Sequence, residues 1–304
     1  MFYLHPELHA NVTAPKQTTW DVESLRAEGE EIFASAADDS DNSLLSVAEA
    51  RGITLRIFTP PSATPTTPVM IAPHGGGYVA GKAIYDDARN TELAQRHEVI
   101  VVSPDYRLAP EHPFPAGKED VAAAFEWAAK HYPDAPLLGY GDSAGSGLLY
   151  TALVDFLSVP GRSIAGAVFL EPCLDPTLDT SSMYSFAEGP IWTRRAAEHA
   201  WRAYCGSTSP EEVYPPASEA VARIHAAANS LPAWYVVVNP VDPLRDEGID
   251  FALNAVDAGV NCQLHMWKAR STVPWITPSI ASKSDRQASD ASCATQLQIT
   301  LRSS

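Results

Sequence analysis

Ser143 stands in Gly141-Asp142-Ser143-Ala144-Gly145, behind the apolar run Pro136-Leu137-Leu138-Gly139-Tyr140. A helical repeat follows it, Leu148, Leu149, Ala152, Leu153, Phe156 and Leu157, and stops at Pro160. A serine on so tight a strand-to-helix turn takes a strained backbone geometry, and the flanking glycines give it room. Its hydroxyl stands clear of the sheet over a helix N-terminus, which favours developing negative charge. This is the setting of a serine nucleophile in acyl transfer. Acyl transfer also needs backbone N–H donors aimed at the oxyanion of the tetrahedral intermediate. His74-Gly75-Gly76-Gly77, placed directly after the strand-like Val69-Met70-Ile71-Ala72-Pro73, is a loop able to bring its main chain that close to a substrate.

Two nucleotide readings compete and fail. Gly76 to Lys82 matches the spacing of a phosphate loop, but the next residue is Ala83, so the hydroxyl that would hold magnesium is missing. Gly139-Tyr140-Gly141-Asp142-Ser143-Ala144 loosely fits a dinucleotide fingerprint. The first acid at the end of the following strand, Glu171, lies beyond the usual ribose contact about twenty residues on.

Between the two motifs lies Asp105-Tyr106-Arg107-Leu108-Ala109-Pro110-Glu111-His112-Pro113-Phe114-Pro115-Ala116, a loop stiffened by prolines. With these three motifs in this order, the chain resembles the hormone-sensitive-lipase-like family of α/β-hydrolases, up to Trp267. The resemblance continues at Asp242-Pro243-Leu244-Arg245-Asp246-Glu247-Gly248, after the strand Ala233–Val238. It implies a serine carboxylesterase acting on small acyl esters without cofactor or metal. Ser143 would be the nucleophile, the N–H groups of Gly76, Gly77 and Ala144 the oxyanion hole, and Asp242 the residue that orients a catalytic histidine. An aspartate just beyond a strand end also sits where α/β sheets bind ligands, although it could equally cap the helix that follows.

The pattern then breaks. The resemblance implies a short Phe-His-Gly-like loop after the last strand, yet the chain reads Lys268-Ala269-Arg270-Ser271-Thr272-Val273-Pro274-Trp275, and no histidine follows His265. His265 belongs to the strand Val260–Trp267, and bringing it to the loop would slide every side chain of that strand. His74 belongs to the oxyanion loop. Residues 268–304 carry five Lys or Arg against two Asp in a chain of net charge −16, and lack a long apolar helix repeat. Read from the last base of each codon, starting at Lys268, permitted codons give Gly-Thr-Phe-His-Gly, then a small residue, then Leu, Met or Val, then a forced Asp from Trp275-Ile276. A one-base slip or a misplaced splice junction is therefore expected to have replaced the C-terminus, leaving catalysis impaired and one side of the sheet uncovered. The alternative is a non-catalytic small-molecule binding protein, as in the gibberellin receptors, which resemble the same family and lack its histidine.

The elements that must position these residues alternate strand and helix, which implies an α/β-hydrolase fold: a mostly parallel sheet flanked by helices, with a small helical cap. Residues 1–40 read as N-terminal cap helices over the site's rim, 41–267 as the core, 180–230 as a cap insertion, and 268–304 as an atypical tail. Leu44–Phe58 reads as a hairpin turning at Arg51-Gly52. Helices are expected near Lys118–Lys130, Ser143–Leu157 and from Leu244, the last one bearing Ile249, Ala252, Leu253 and Val256 and capped by Gly259. Met183, Phe186, Ile191, Trp192, Trp201 and Tyr204 could line a cap or pack as ordinary core. A pI near 4.9 argues against nucleic acid and anionic membranes as partners. Cys173, Cys205, Cys262 and Cys293 are too widely spaced for a metal site and read as reduced thiols. Met1-Phe2-Tyr3-Leu4-His5-Pro6 opens no signal peptide or membrane anchor, so the cytoplasm is expected. Nothing in the sequence sets the oligomeric state.

Overall fold

Strands covered on both faces by helices must be apolar throughout, and the central runs of this chain are. In a computed structural model describing residues 21–27, 30, 42–189 and 192–266, they form one eight-stranded sheet. Its strands are β1 (Leu45–Ala50), β2 (Ile53–Phe58), β3 (Val69–Ile71), β4 (Ile100–Pro104), β5 (Leu137–Asp142), β6 (Gly166–Leu170), β7 (Ala233–Val238) and β8 (Cys262–Met266). Their spatial order is β1-β2-β4-β3-β5-β6-β7-β8. The β1–β2 and β2–β4 pairs are antiparallel, and every other pair is parallel. The hairpin turns at Arg51 and Gly52, with φ of 49° and 84°, as its two-residue loop requires. Every residue of β3, β4, β5 and β6 is buried.

Side-chain alternation splits the core in two. Trp234, Val236 and Val238 of β7 face α2 (Ala116–His131), α3 (Ala144–Leu157) and α8 (Arg245–Asp257). Tyr235 and Val237 face the other way, in the layer shared with Leu93 and Ala94 of α1 (Asp87–His97). The helix after Ser143 buries all six of its apolar positions read from the sequence.

The last helix turns only part of its apolar repeat inward. Phe251, Ala252 and Ala255 are its buried face, whereas Leu253 and Val256 are 56% and 52% exposed. Phe251 decides the rotation, because its ring stacks on Trp234 at 5.1 Å and meets Phe169 edge-on at 5.2 Å. Aromatic pairs of this kind add about 0.5–1.5 kcal/mol each beyond area burial. The final strand is also shorter than its apolar pattern implies, starting at Cys262.

Between β6 and β7 run α4 (Ser181–Ser185), α5 (Arg194–Cys205), α6 (Pro210–Val213) and α7 (Ala217–Ala226). Trp201 and Tyr204 of α5 are core: Tyr204 stacks on Tyr78 at 4.1 Å, and Trp201 lies 5.0 Å from the same ring. Ile191, Cys293, most of residues 1–40 and the tail 268–304 lie outside the described residues. Among the described residues, no helix is long and apolar enough to cross a membrane, and Cys173, Cys205 and Cys262 form no disulfide.

Candidate active site

Parallel pairing of β3, β5, β6 and β7 brings the C-terminal ends of these strands to one rim. Ser143 follows β5 there, at φ 50° and ψ −120°, a region that residues with a Cβ rarely occupy. Four hydrogen bonds hold it. Its N–H donates to Leu170 O at 2.8 Å, while its carbonyl accepts from Ser146, Gly147 and Cys173 at 3.1, 3.3 and 3.2 Å. The flanking glycines are steric requirements. A Cβ on Gly145 would sit 2.3 Å from Pro73 O and 2.6 Å from His74 O, and one on Gly141 would sit 2.7 Å from Gly145 O. The elbow and the glycine loop thus abut, backbone against backbone.

In that loop Gly76 and Gly77 take φ of 123° and 58°. Among the described residues, no backbone hydrogen bond uses the N–H of Gly76, Gly77 or Ala144. Ala144 is the first residue of α3, where N–H groups have no intrahelical acceptor. The three donors are available to an anion. The indole edge of Trp192 rests on Gly77, since a Cβ there would meet Trp192 Cη2 at 2.6 Å.

The proline-rich loop supports these glycines from below. Tyr106 Oη donates to His74 O at 2.8 Å, and the Tyr106 and His74 rings stack at 4.1 Å. Arg107 fixes the loop to α2 through Asp120, with Nη2 to Oδ1 at 2.8 Å and Nε to Oδ2 at 2.9 Å. His74 Nδ1 lies 2.6 Å from Gly75 O and must donate to it, because a carbonyl only accepts. Burial holds this imidazole below its ordinary range, opposed by the Gly75 carbonyl and by Asp105 and Asp142, so it stays neutral. From the N-terminal side, Arg26 clasps the loops: Nε donates to Val79 O at 2.7 Å, Nη2 to Ala109 O at 2.9 Å, and the guanidinium pairs with Glu111.

Asp242 lies just past β7 on the same rim, fully buried. Its Oδ1 accepts the Leu244 N–H at 2.8 Å, a turn contact rather than the helix cap considered from sequence, because the N-cap of α8 is Leu244. Ser182 of α4 laces the following turn, with Oγ donating to Pro243 O at 2.7 Å and accepting from Asp246 N at 3.0 Å. Glu247 ties α8 to the loop after β6, its Oε2 accepting from Leu174 N at 3.0 Å and Asp175 N at 2.5 Å. Burial pushes that carboxyl well up, against the pull of these two N–H donors, and Asp175 and Asp242 add to the rise.

His265 sits inside β8, in register with Val237, and its ring stacks with Tyr235 at 6.4 Å. Ser143, the glycine loop and Asp242 therefore share a rim, and the described histidines of the two motif regions serve the loop and the strand. A cavity of about 330 Å³ lies elsewhere, against Tyr150 of α3, Tyr214, Glu247 and Phe251, and Ser143 does not line it. Among the described residues, no group of three His, Cys, Asp or Glu is placed to hold a metal. Sequence reasoning missed Arg26, Ser182 and Arg89, whose partners Ala109, Pro243 and Asp142 lie 53 or more residues away.

A family model described as the alpha/beta hydrolase fold matches residues 70–271, and one described as the carboxylesterase family matches residues 22–113. Esterase LipI of Mycobacterium tuberculosis is 35% identical over 217 residues, 69% of this chain and 67% of that protein. Ethyl acetate hydrolase of Pseudomonas putida is 31% identical over 250 residues, 78% of this chain and 77% of that protein. Among solved structures, a bacterial heroin esterase superposes with a TM-score of 0.82 at 26% identity, covering 98% of each chain.

Proposed function

The chain belongs to the hormone-sensitive-lipase-like family of α/β-hydrolases, carboxylic ester hydrolases by family, and from that premise we propose that it is a small-acyl-ester carboxylesterase whose own turnover is impaired for want of a general base. Ser143 Oγ attacks the ester carbonyl, and the N–H groups of Gly76, Gly77 and Ala144 receive the oxyanion. Asp242 is the acid that would orient a histidine, and residues 268–304 contain none. Without a base to take its proton, the serine hydroxyl is a weak nucleophile at neutral pH. Loss of that histidine lowers turnover in serine hydrolases by about a million-fold, with a residual rate from the oxyanion hole. The tail is read as the product of a slipped frame or misplaced junction, residues 1–40 as cap helices and 180–230 as the cap insertion.

The observation that carries this reading is the backbone of Ser143, held at φ 50° between two glycines that admit no side chain. The missing histidine favours a second reading, a binding protein that uses the same rim for a small molecule. The test is p-nitrophenol release from p-nitrophenyl acetate by the native chain and by Ser143→Ala. A slow release that Ser143→Ala abolishes supports the impaired esterase. Equal rates in the two proteins overturn it and leave binding as the better account.

A further inference from the structure

Beneath the elbow lies a knot of buried charge that neither reading uses. Arg89 projects from the first turn of α1, its Nη2 2.5 Å from Asp86 Oδ2 and its Nη1 in a longer ion pair, without a hydrogen bond, 3.4 Å from Asp142 Oδ1. The side chains of Arg89, Asp86 and Asp142 are 14%, 16% and 10% exposed. The guanidinium also lies over the Tyr140 ring, 5.5 Å from its centre. Burial alone would lower its pKa, but Asp86 and Asp142 outweigh that and keep it charged. Stability is a poor explanation for such a group. Replacing a buried ion pair by well-packed apolar side chains is often neutral or stabilising, so ionic groups kept in a core call for another role.

The position of Asp142 supplies one. It is the last residue of β5, and the next residue is Ser143 in its strained conformation. Its Oδ2 stands 3.1 Å from where a Cβ on Gly75 would be, so the same carboxylate touches the glycine loop. Arg89 thus reaches from a helix beside the sheet to a side chain that borders both halves of the site. Tyr140, two residues before Asp142, is held by the same guanidinium. We infer that Arg89 is a positioning residue: through its ion pair with Asp142 and its place over the Tyr140 ring it holds the end of β5 against the Gly75–Gly77 loop and keeps Ser143 in its strained turn. This rests on the reading of Ser143 as the nucleophile for its functional meaning, though the mechanical claim stands on the geometry alone.

The test reads the strain directly and needs no turnover. Ser143→Gly and Ser143→Ala are each made in the native chain and in an Arg89→Met/Asp86→Asn background, which removes the cation together with one of its carboxylates. Melting temperature is measured for all, and the Gly-minus-Ala gap at residue 143 reports the strain stored there. Residues coupled in one network give non-additive effects, so the gap is expected to fall to roughly half or less once Arg89 is gone. An Arg89→Lys background keeps the charge but loses the fork that spans two carboxylates, and should give an intermediate gap. A gap unchanged in both backgrounds overturns the inference. If the double variant does not fold, the lysine background decides alone. Release of p-nitrophenol by the same proteins separates the two readings: a gap that shrinks while Ser143→Ala leaves ester turnover untouched supports Arg89 as elbow holder and defeats the esterase.

Discussion

Ser143 gives the most direct measure of what this site costs the fold. A non-glycine residue at φ 50° and ψ −120° stores about 1–3 kcal/mol of backbone strain. It persists because the 2.8 Å bond to Leu170 O and the three N–H groups converging on its carbonyl over-determine the turn. Replacing it by glycine removes the Cβ that causes the strain. Glycine also gives the unfolded chain more freedom, which takes back about 0.4–1 kcal/mol. Ser143→Gly should therefore be more stable than Ser143→Ala by about 0.5–2 kcal/mol, the alanine serving as reference because it loses the hydroxyl and keeps the Cβ. At about 2.1 cal/mol/K of unfolding entropy per residue, that is roughly 1–3 °C in Tm for a chain of this length. Differential scanning calorimetry resolves such a gap, and urea denaturation gives it independently. A glycine variant that melts with the alanine variant, or below it, would refute the claim that this turn is strained.

Three further outcomes follow from the same geometry. Gly145→Ala should lower stability by about 1–3 kcal/mol or more, because its Cβ would meet the carbonyls of Pro73 and His74 at 2.3 and 2.6 Å; an unchanged urea midpoint would contradict that crowding. Glu247, raised by burial far above its unfolded value near 4.5, keeps a proton that the unfolded chain releases as pH climbs past that value, so its contribution to stability declines until the folded pKa is passed. Glu247→Gln has no such proton to lose, so the Gln-minus-Glu difference in Tm should be larger at pH 8 than at pH 5, and equal differences would refute the assignment. Replacing residues 268–304 by an in-frame segment carrying Gly-Thr-Phe-His-Gly should raise ester turnover by up to about a million-fold, and a restored chain no faster than the native one would remove the histidine argument.

The features legible in the sequence are those whose cause is local. The Arg51-Gly52 turn, the helix after Ser143 and the two elbow glycines each follow from neighbours within a few positions, where spacing alone reports geometry. What stayed hidden depends on partners far along the chain. In α1, Leu93 and Ala94 are the buried apolar residues among polar ones, so no repeat marks the helix, and Arg89 gains its meaning only when β5 lies beside it. The rotation of α8 is not legible locally, because Leu253 and Val256 fit a helical stripe as well as Phe251 does. Ring contacts with Trp234 and Phe169, on two other strands, made the choice.

The same contrast bears on how this chain can fail as an enzyme while keeping a formed rim. The serine turn, the glycine loop and Asp242 are all built by residues between Val69 and Leu244, and the hydrogen bonds that fix them stay within that span, tie it to α8 or reach it from Arg26. On the proposed reading the base that meets Asp242 comes from beyond β8, whose register pairs Met266 with Val238. His265 pairs with Val237, one position back, and leaves that register only if the whole strand slides. On the proposed reading, loss of the family's segment after β8 removes proton transfer while the serine turn and the glycine loop stay formed. On this reasoning the chain should still capture a tetrahedral, anionic acyl mimic at Ser143 far better than it turns over an ester. The ratio of those two abilities, measured before and after restoring the histidine loop, separates a damaged esterase from a scaffold that has only ever bound.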